Sequence, residues 1–251
     1  MATESASDSR VRAHAARAAT WPRGAAVAVA LAAVAAAGGA AVLDAWWLHS
    51  GAVVWRAAVA SAAGGALVLW LATQHLRTAT FGAANGVTLA RGALTVVLLA
   101  LLGTDGHAAW AIVALAVLAA ALDGIDGALA RNRGETSEFG ARFDMETDAL
   151  LILVLAALAW SGGKAGAWIL LAGLLRYLFV AASWLWTWLA APLPPSRRRQ
   201  TVCVVQIVSL IVALVPIVTP PSSAVLALLG LVVLAWSFGV DVGWLARHAR
   251  S

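Results

Sequence analysis

Four aspartates carry the clearest chemical signal in the chain. Asp123 and Asp126 stand three residues apart, and Asp144 and Asp148 stand four apart. On a helix either spacing puts both carboxylates on one face. Only the stretch from Arg131 to Ala141 separates the pairs, so their helices are expected to be antiparallel neighbours whose carboxylates converge. Four facing carboxylates repel one another unless cations compensate them. Oxygen ligands without His or Cys favour Mg²⁺ or Mn²⁺, and four of them can hold two ions.

Seven of the twelve acidic residues lie in this window: the four aspartates with Glu135, Glu138 and Glu146. A wet boundary salt-bridged to Arg131, Arg133 and Arg142 is the competing explanation, and it suits Glu135 and Glu138. It suits the aspartates poorly, because ionisable groups at membrane depth are costly and usually functional. Gly127 and Ala130 follow the first pair, and Gly140 precedes Asp144 by about one turn. Small residues there let two backbones, or a backbone and a nucleotide, approach closely. Arg131 presents a planar fork suited to a diphosphate, or else a topological anchor.

The elements that must position these groups are membrane spans. The 251 residues are 62% hydrophobic and 12% charged, with mean hydropathy +0.87, too apolar for a single water-soluble core. Apolar runs near the roughly 20 residues that cross a bilayer recur throughout. They predict an all-α polytopic membrane bundle with eight spans, at about 25–43, 52–73, 87–104, 107–130, 142–161, 165–188, 201–218 and 223–244. Residues 1–24 form a polar tail before an uncleaved first span; 25–75 hold two extra N-terminal spans, and 76–251 a six-helix core.

Alternate loops collect the arginines: the N-terminal tail, Arg77 and Arg91, Arg131 with Arg133 and Arg142, Arg197 to Arg199, and Arg247 with Arg250. The other side has Lys164 and Arg56. The positive-inside rule then places both termini and the aspartate end on the cytoplasmic side of the cell membrane. Trp46, Trp47, Trp55, Trp110, Trp160 and Trp168 fall near the predicted outer ends; Trp21, Trp70, Trp184, Trp186, Trp188 and Trp244 fall near the inner ends. That distribution suits interfacial anchors. Topology also explains the charge of +5 better than nucleic-acid binding does. A lone cysteine, Cys203, excludes an intramolecular disulfide.

The run DGIDGALARNRGETSEFGARFDMETD fits D-x-x-D-G-x-x-A-R, eight residues, G-x-x-x-D-x-x-x-D. It resembles the defining motif of the CDP-alcohol phosphotransferase family, with every defining position present. AANGVTLAR, upstream, is similar to the segment leading into that family's first core helix, and the resemblance spans about residues 77–245. It implies that Asp123, Asp126, Asp144 and Asp148 bind metal and that Asp148 is also the general base. It further implies that Gly127, Arg131, Ser137 and the backbone around Asn85 and Gly86 contact the CDP-linked donor. Thr88 helps shape the site or bonds its own helix.

The implied reaction moves a phosphatidyl group from CDP-diacylglycerol to an alcohol and releases CMP, within a homodimer in contact with membrane lipids. A polyol phosphate such as inositol phosphate or glycerol phosphate is the favoured acceptor. Met145, Glu146 and Thr147 stand where glycerophosphate-using relatives often carry Pro and small apolar residues. Arg142 and Arg176 are candidate acceptor contacts, and snorkelling or pairing with Asp241 is the other role open to Arg176. Arg197 to Arg199 read as a headgroup or orientation cluster. Two other classes compete. Membrane prenyltransferases carry their aspartate pairs on well-separated loops, and a cation transporter would scatter carboxylates over several spans; neither pattern is present.

Overall fold

In the computed structural model, residues 23–49, 51–75, 81–104, 106–133 and 138–249 are described, and among them there are helices and turns without strands. Eight α-helices follow in order: α1 (Arg23–Leu43), α2 (Ala52–His75), α3 (Ala83–Ala100), α4 (Ala109–Arg133), α5 (Glu138–Ser161), α6 (Leu171–Leu185), α7 (Arg197–Leu214) and α8 (Ser222–His248). The expected all-helical polytopic bundle is therefore observed, and the protein is a membrane protein. Helices α4 and α5 continue past their apolar portions to Arg133 and from Glu138, leaving only 134–137 between them. The aspartates thus sit on regular helix rather than in a loop.

Among the described residues, five segments are long and apolar enough to cross a membrane alone; they hold α1, α2, α3, α6 and α8. The apolar part of α4 ends at Gly124, where the aspartates begin. The first turns of α5 carry the second aspartate pair, and α7 opens with Arg197, Arg198, Arg199 and Gln200. These three helices give up apolar length to polar groups at one end of the bundle.

Helix α5 is central. Leu151, Leu155, Ala156 and Ala159 on it belong to one buried cluster with Leu98 of α3, Ala116 and Ala119 of α4, Leu210 of α7 and Ala227 of α8. Small residues bring helices close where no water must be expelled. A Cβ added at Gly173 of α6 would collide with the backbone of Leu153, so glycine sets the α5–α6 distance. The α1–α2 hairpin packs on α3 and touches α5; Ala25, Val29 and Ala72 meet Phe81, Phe139 and Phe143 in a second buried cluster.

The end of the bundle away from the aspartates is closed by backbone chemistry. Gly103 and Gly163 adopt positive φ of 71° and 68° just beyond α3 and α5, a conformation that suits glycine at a helix stop. Lys164 Nζ donates to the carbonyls of Val215 and Val218, at 3.1 and 2.6 Å, capping the end of α7. Arg56 Nη1 donates to Leu102 O at 3.0 Å. The two side chains on the arginine-poor side are thus tied to carbonyls. Trp46, Trp47, Trp55, Trp110 and Trp160 are at least half exposed, as interfacial rings are.

Candidate metal centre

Three of the four aspartates converge. Asp123 from α4 and Asp144 and Asp148 from α5 each offer an oxygen, and these oxygens lie within 4.8 Å of one another. Asp126 is one turn beyond Asp123 on the same helix, but its side chain, with those of Gly127 and Arg131, lies outside the described residues. Ser137 lies outside them entirely.

Arg91 of α3 stands at the centre of the three. Its Nη1 is 2.9 Å from Asp123 Oδ1 and 2.7 Å from Asp144 Oδ1, and its Nη2 donates to Asp148. Arg91 is wholly buried, whereas the side chains of Asp123, Asp144 and Asp148 are 26%, 43% and 20% exposed. The guanidinium therefore enters from inside the bundle, and the carboxylates face an opening. Among the described side chains, one positive charge faces three negative ones. That excess, on clustered hard oxygens and without Asp126 counted, fits a divalent cation.

Sequence reading took Arg91 only for a topological charge. The available signal was its place inside an apolar helix, where an ionisable residue usually has a partner. Cys203 of α7 was also missed: its thiol donates to Asp148 Oδ2 at 3.6 Å. Nothing in local spacing marks a residue 55 positions away.

The segment Asn85 to Thr95 builds the α3 wall. Asn85 Nδ2 donates to Phe81 O, and Gly86 N donates to Gly82 O at 3.2 Å, fixing the first turn. A Cβ at Gly86 would meet nothing within 4 Å, so this backbone borders open space. Thr88 and Thr95 are buried and donate to Ala84 O and Arg91 O at 3.2 and 2.9 Å. Thr88 thus bonds its own helix.

Arg142 and Arg176 also come together, though elsewhere. They line a cavity of about 370 Å³ with Leu71, Phe139, Phe143, Met145 and Glu146. Arg176 Nε donates to Glu146 at 3.3 Å, its Nη2 forms an ion pair with the same carboxylate, and its Nη1 meets Met145 Sδ. Glu146 lies two residues from both Asp144 and Asp148, about 160° round a helix that turns 100° per residue. The cavity is on the flank of α5 opposite the carboxylate cluster. Thr147, by contrast, is buried and donates to Phe143 O at 2.8 Å.

Pairing of Arg176 with Asp241 is not what the structure has. Asp241 is held by Arg198, with Arg199 Nη1 at 3.5 Å. Arg198 also donates to Ser237 O at 2.7 Å and lies 5.7 Å from the centre of the Trp236 ring. Helix α6 presents Arg176 toward α5, while Asp241 on α8 faces the start of α7. Arg198 and Arg199 thus join α7 to α8.

The sequence model of the CDP-alcohol phosphatidyltransferase family matches residues 81–240. The match runs from just before α3 into α8 and omits α1 and α2. No curated protein and no solved structure matches the chain.

Proposed function

The chain belongs to the CDP-alcohol phosphatidyltransferase family, and we propose that it transfers a phosphatidyl group from CDP-diacylglycerol to an alcohol with release of CMP. The observation that carries this is the meeting of Asp123, Asp144 and Asp148, three motif carboxylates from two helices, at one half-open site.

The residues divide the work. Asp123, Asp126, Asp144 and Asp148 hold Mg²⁺ or Mn²⁺, two ions for four carboxylates. Bound there, the metal would supply positive charge favourable to the donor diphosphate and to the departing CMP. Asn85, Gly86, Gly127, Arg131 and Ser137 contact the donor. Asp148 accepts the proton of the attacking hydroxyl. The hydroxyl oxygen bonds to the phosphorus bearing the diacylglycerol, and the bond from that phosphorus to CMP breaks. Arg91 is a positioning residue that holds Asp144 and Asp148 in register with Asp123.

For the acceptor we favour a polyol phosphate such as inositol phosphate or glycerol phosphate. Its hydroxyl must reach Asp148. A small acceptor anchored on Arg142 and Arg176 would have to span an α5 about 10 Å wide. We therefore place the hydroxyl end of the acceptor on the Asp148 flank. The aspartate end is cytoplasmic in this proposal, by the arginine asymmetry, with both termini on that side of the cell membrane; the unit is a homodimer, by family resemblance. Residues 1–24 are the tail, 25–75 the added spans and 76–251 the catalytic core.

The test is CMP release by purified protein with Mn²⁺ or Mg²⁺ and radiolabelled CDP-diacylglycerol, against a panel of polyol phosphates, serine and lipid alcohols. One acceptor should support turnover. Thermal protection by a prenyl diphosphate with metal, and none by cytidine nucleotides, would instead make the chain a prenyltransferase.

A further inference from the structure

Gln206, in the middle of α7, is the anomaly of the bundle interior. It is wholly buried, and neither end of its amide has a hydrogen-bond partner among the described residues. Neither atom is open to water, so a bridging water has no room there. Buried amides are nearly always paired, and a bundle in lipid has no solvent to supply a partner. Ile207 and Leu210, close by on α7, belong to the buried apolar core. On packing grounds a leucine would suit position 206 better.

Helix α8 is nevertheless fitted to this amide. A Cβ added at Gly230 would lie 2.9 Å from Gln206 Oε1 and 3.1 Å from Ser209 Oγ, so glycine leaves the space that the amide occupies. The same glycine bares the α8 backbone beside it. A helix carbonyl keeps a second lone pair, and a glutamine that crosses between helices can donate to it. An acceptor therefore stands next to an amide that does not use it.

The helix that carries Gln206 also meets the carboxylate centre. Cys203, whose thiol donates to Asp148 Oδ2 at 3.6 Å, precedes Gln206 by three residues, on the same face and about 4.5 Å away along the axis. Turning α7 about its axis therefore moves the thiol at Asp148 and the amide at Gly230 together. Ties at the two ends of α7, Arg198 to Asp241 and Lys164 to Val215, keep such a turn small.

We propose that Gln206 is a positioning residue for the reaction at Asp148: a small rotation of α7 pairs its amide with the α8 backbone beside Gly230 and resets Cys203 against Asp148. Metal and donor favour the rotated arrangement, so this role rests on the proposed reaction.

Gln206→Leu keeps most of the bulk and removes the amide, so melting in detergent alone should rise. Mn²⁺ with CDP-diacylglycerol should raise the melting temperature of the parent, and the variant should gain about half that shift or less. Its CMP release at saturating donor should fall about tenfold. Gly230→Ala, which keeps the amide and covers the α8 backbone, should also reduce the shift. An equal shift in the parent and Gln206→Leu overturns the role of Gln206 and leaves the proposed reaction standing. Lower melting of that variant in detergent alone does the same, because it would show the amide already paired. No shift in the parent removes the proposed reaction and the role of Gln206 together.

Discussion

The two flanks of α5 carry different ion networks at the same depth. On one, Asp144 and Asp148 join Asp123 around the buried Arg91, three carboxylates to one guanidinium among the described side chains. On the other, Glu146 meets Arg176 beside Arg142 at an open cavity. One helix thus presents a carboxylate cluster and an arginine–glutamate pair about half a turn apart. Burial separates them energetically. A guanidinium with no access to water depends wholly on its partners, while a half-exposed pair is backed by solvent.

The comparison can be broken most severely at the base. Asp148→Asn should lower CMP release by about 10²- to 10⁴-fold while cytidine nucleotide with Mn²⁺ still raises the melting temperature; unchanged turnover would remove Asp148 from its assigned role. Next comes Arg91→Gln. It leaves three carboxylates facing one another and should cost about 3 kcal/mol of stability, measured by thermal melting in detergent. Added Mg²⁺ should restore part of the loss, and a variant as stable as the parent would show that the guanidinium is not what balances the cluster.

Gly173→Ala tests how the second flank is built. Its Cβ would run into the Leu153 backbone and push away α6, which carries Arg176. Overpacking of this kind costs about 1–3 kcal/mol, read as lowered melting. The smallest effect is expected at the ion pair itself. Arg176→Gln should change stability by no more than about 1 kcal/mol, because both side chains reach solvent, and should leave CMP release within a few-fold of the parent. A large loss of turnover there would join the flanks into one site.

Much of this was legible in the chain. The spacing of Asp123, Asp126, Asp144 and Asp148 reports helix faces directly, because a 3.6-residue repeat is a local property. Hydropathy located every described helix to within several residues, since span length is set by the bilayer. The ends were less readable: α5 begins at Glu138, because a helix can continue through polar residues that hydropathy treats as loop. Partners across the bundle were least readable. Asp241 was as good a candidate for Arg176 as Glu146 on charge alone, yet it belongs to Arg198.

The sequence by itself determined the helical class, the carboxylate faces and the family motif, because each is written in residues close together along the chain. Only the tertiary structure decided that Arg91, 53 and 57 positions from its partners, fills the centre of the cluster, and that Arg142 and Arg176 look away from it. Helix periodicity fixes the angle between side chains on one helix. Which neighbour each face meets depends on close approaches such as that of Gly173 to Leu153, and these exist only once the bundle has packed.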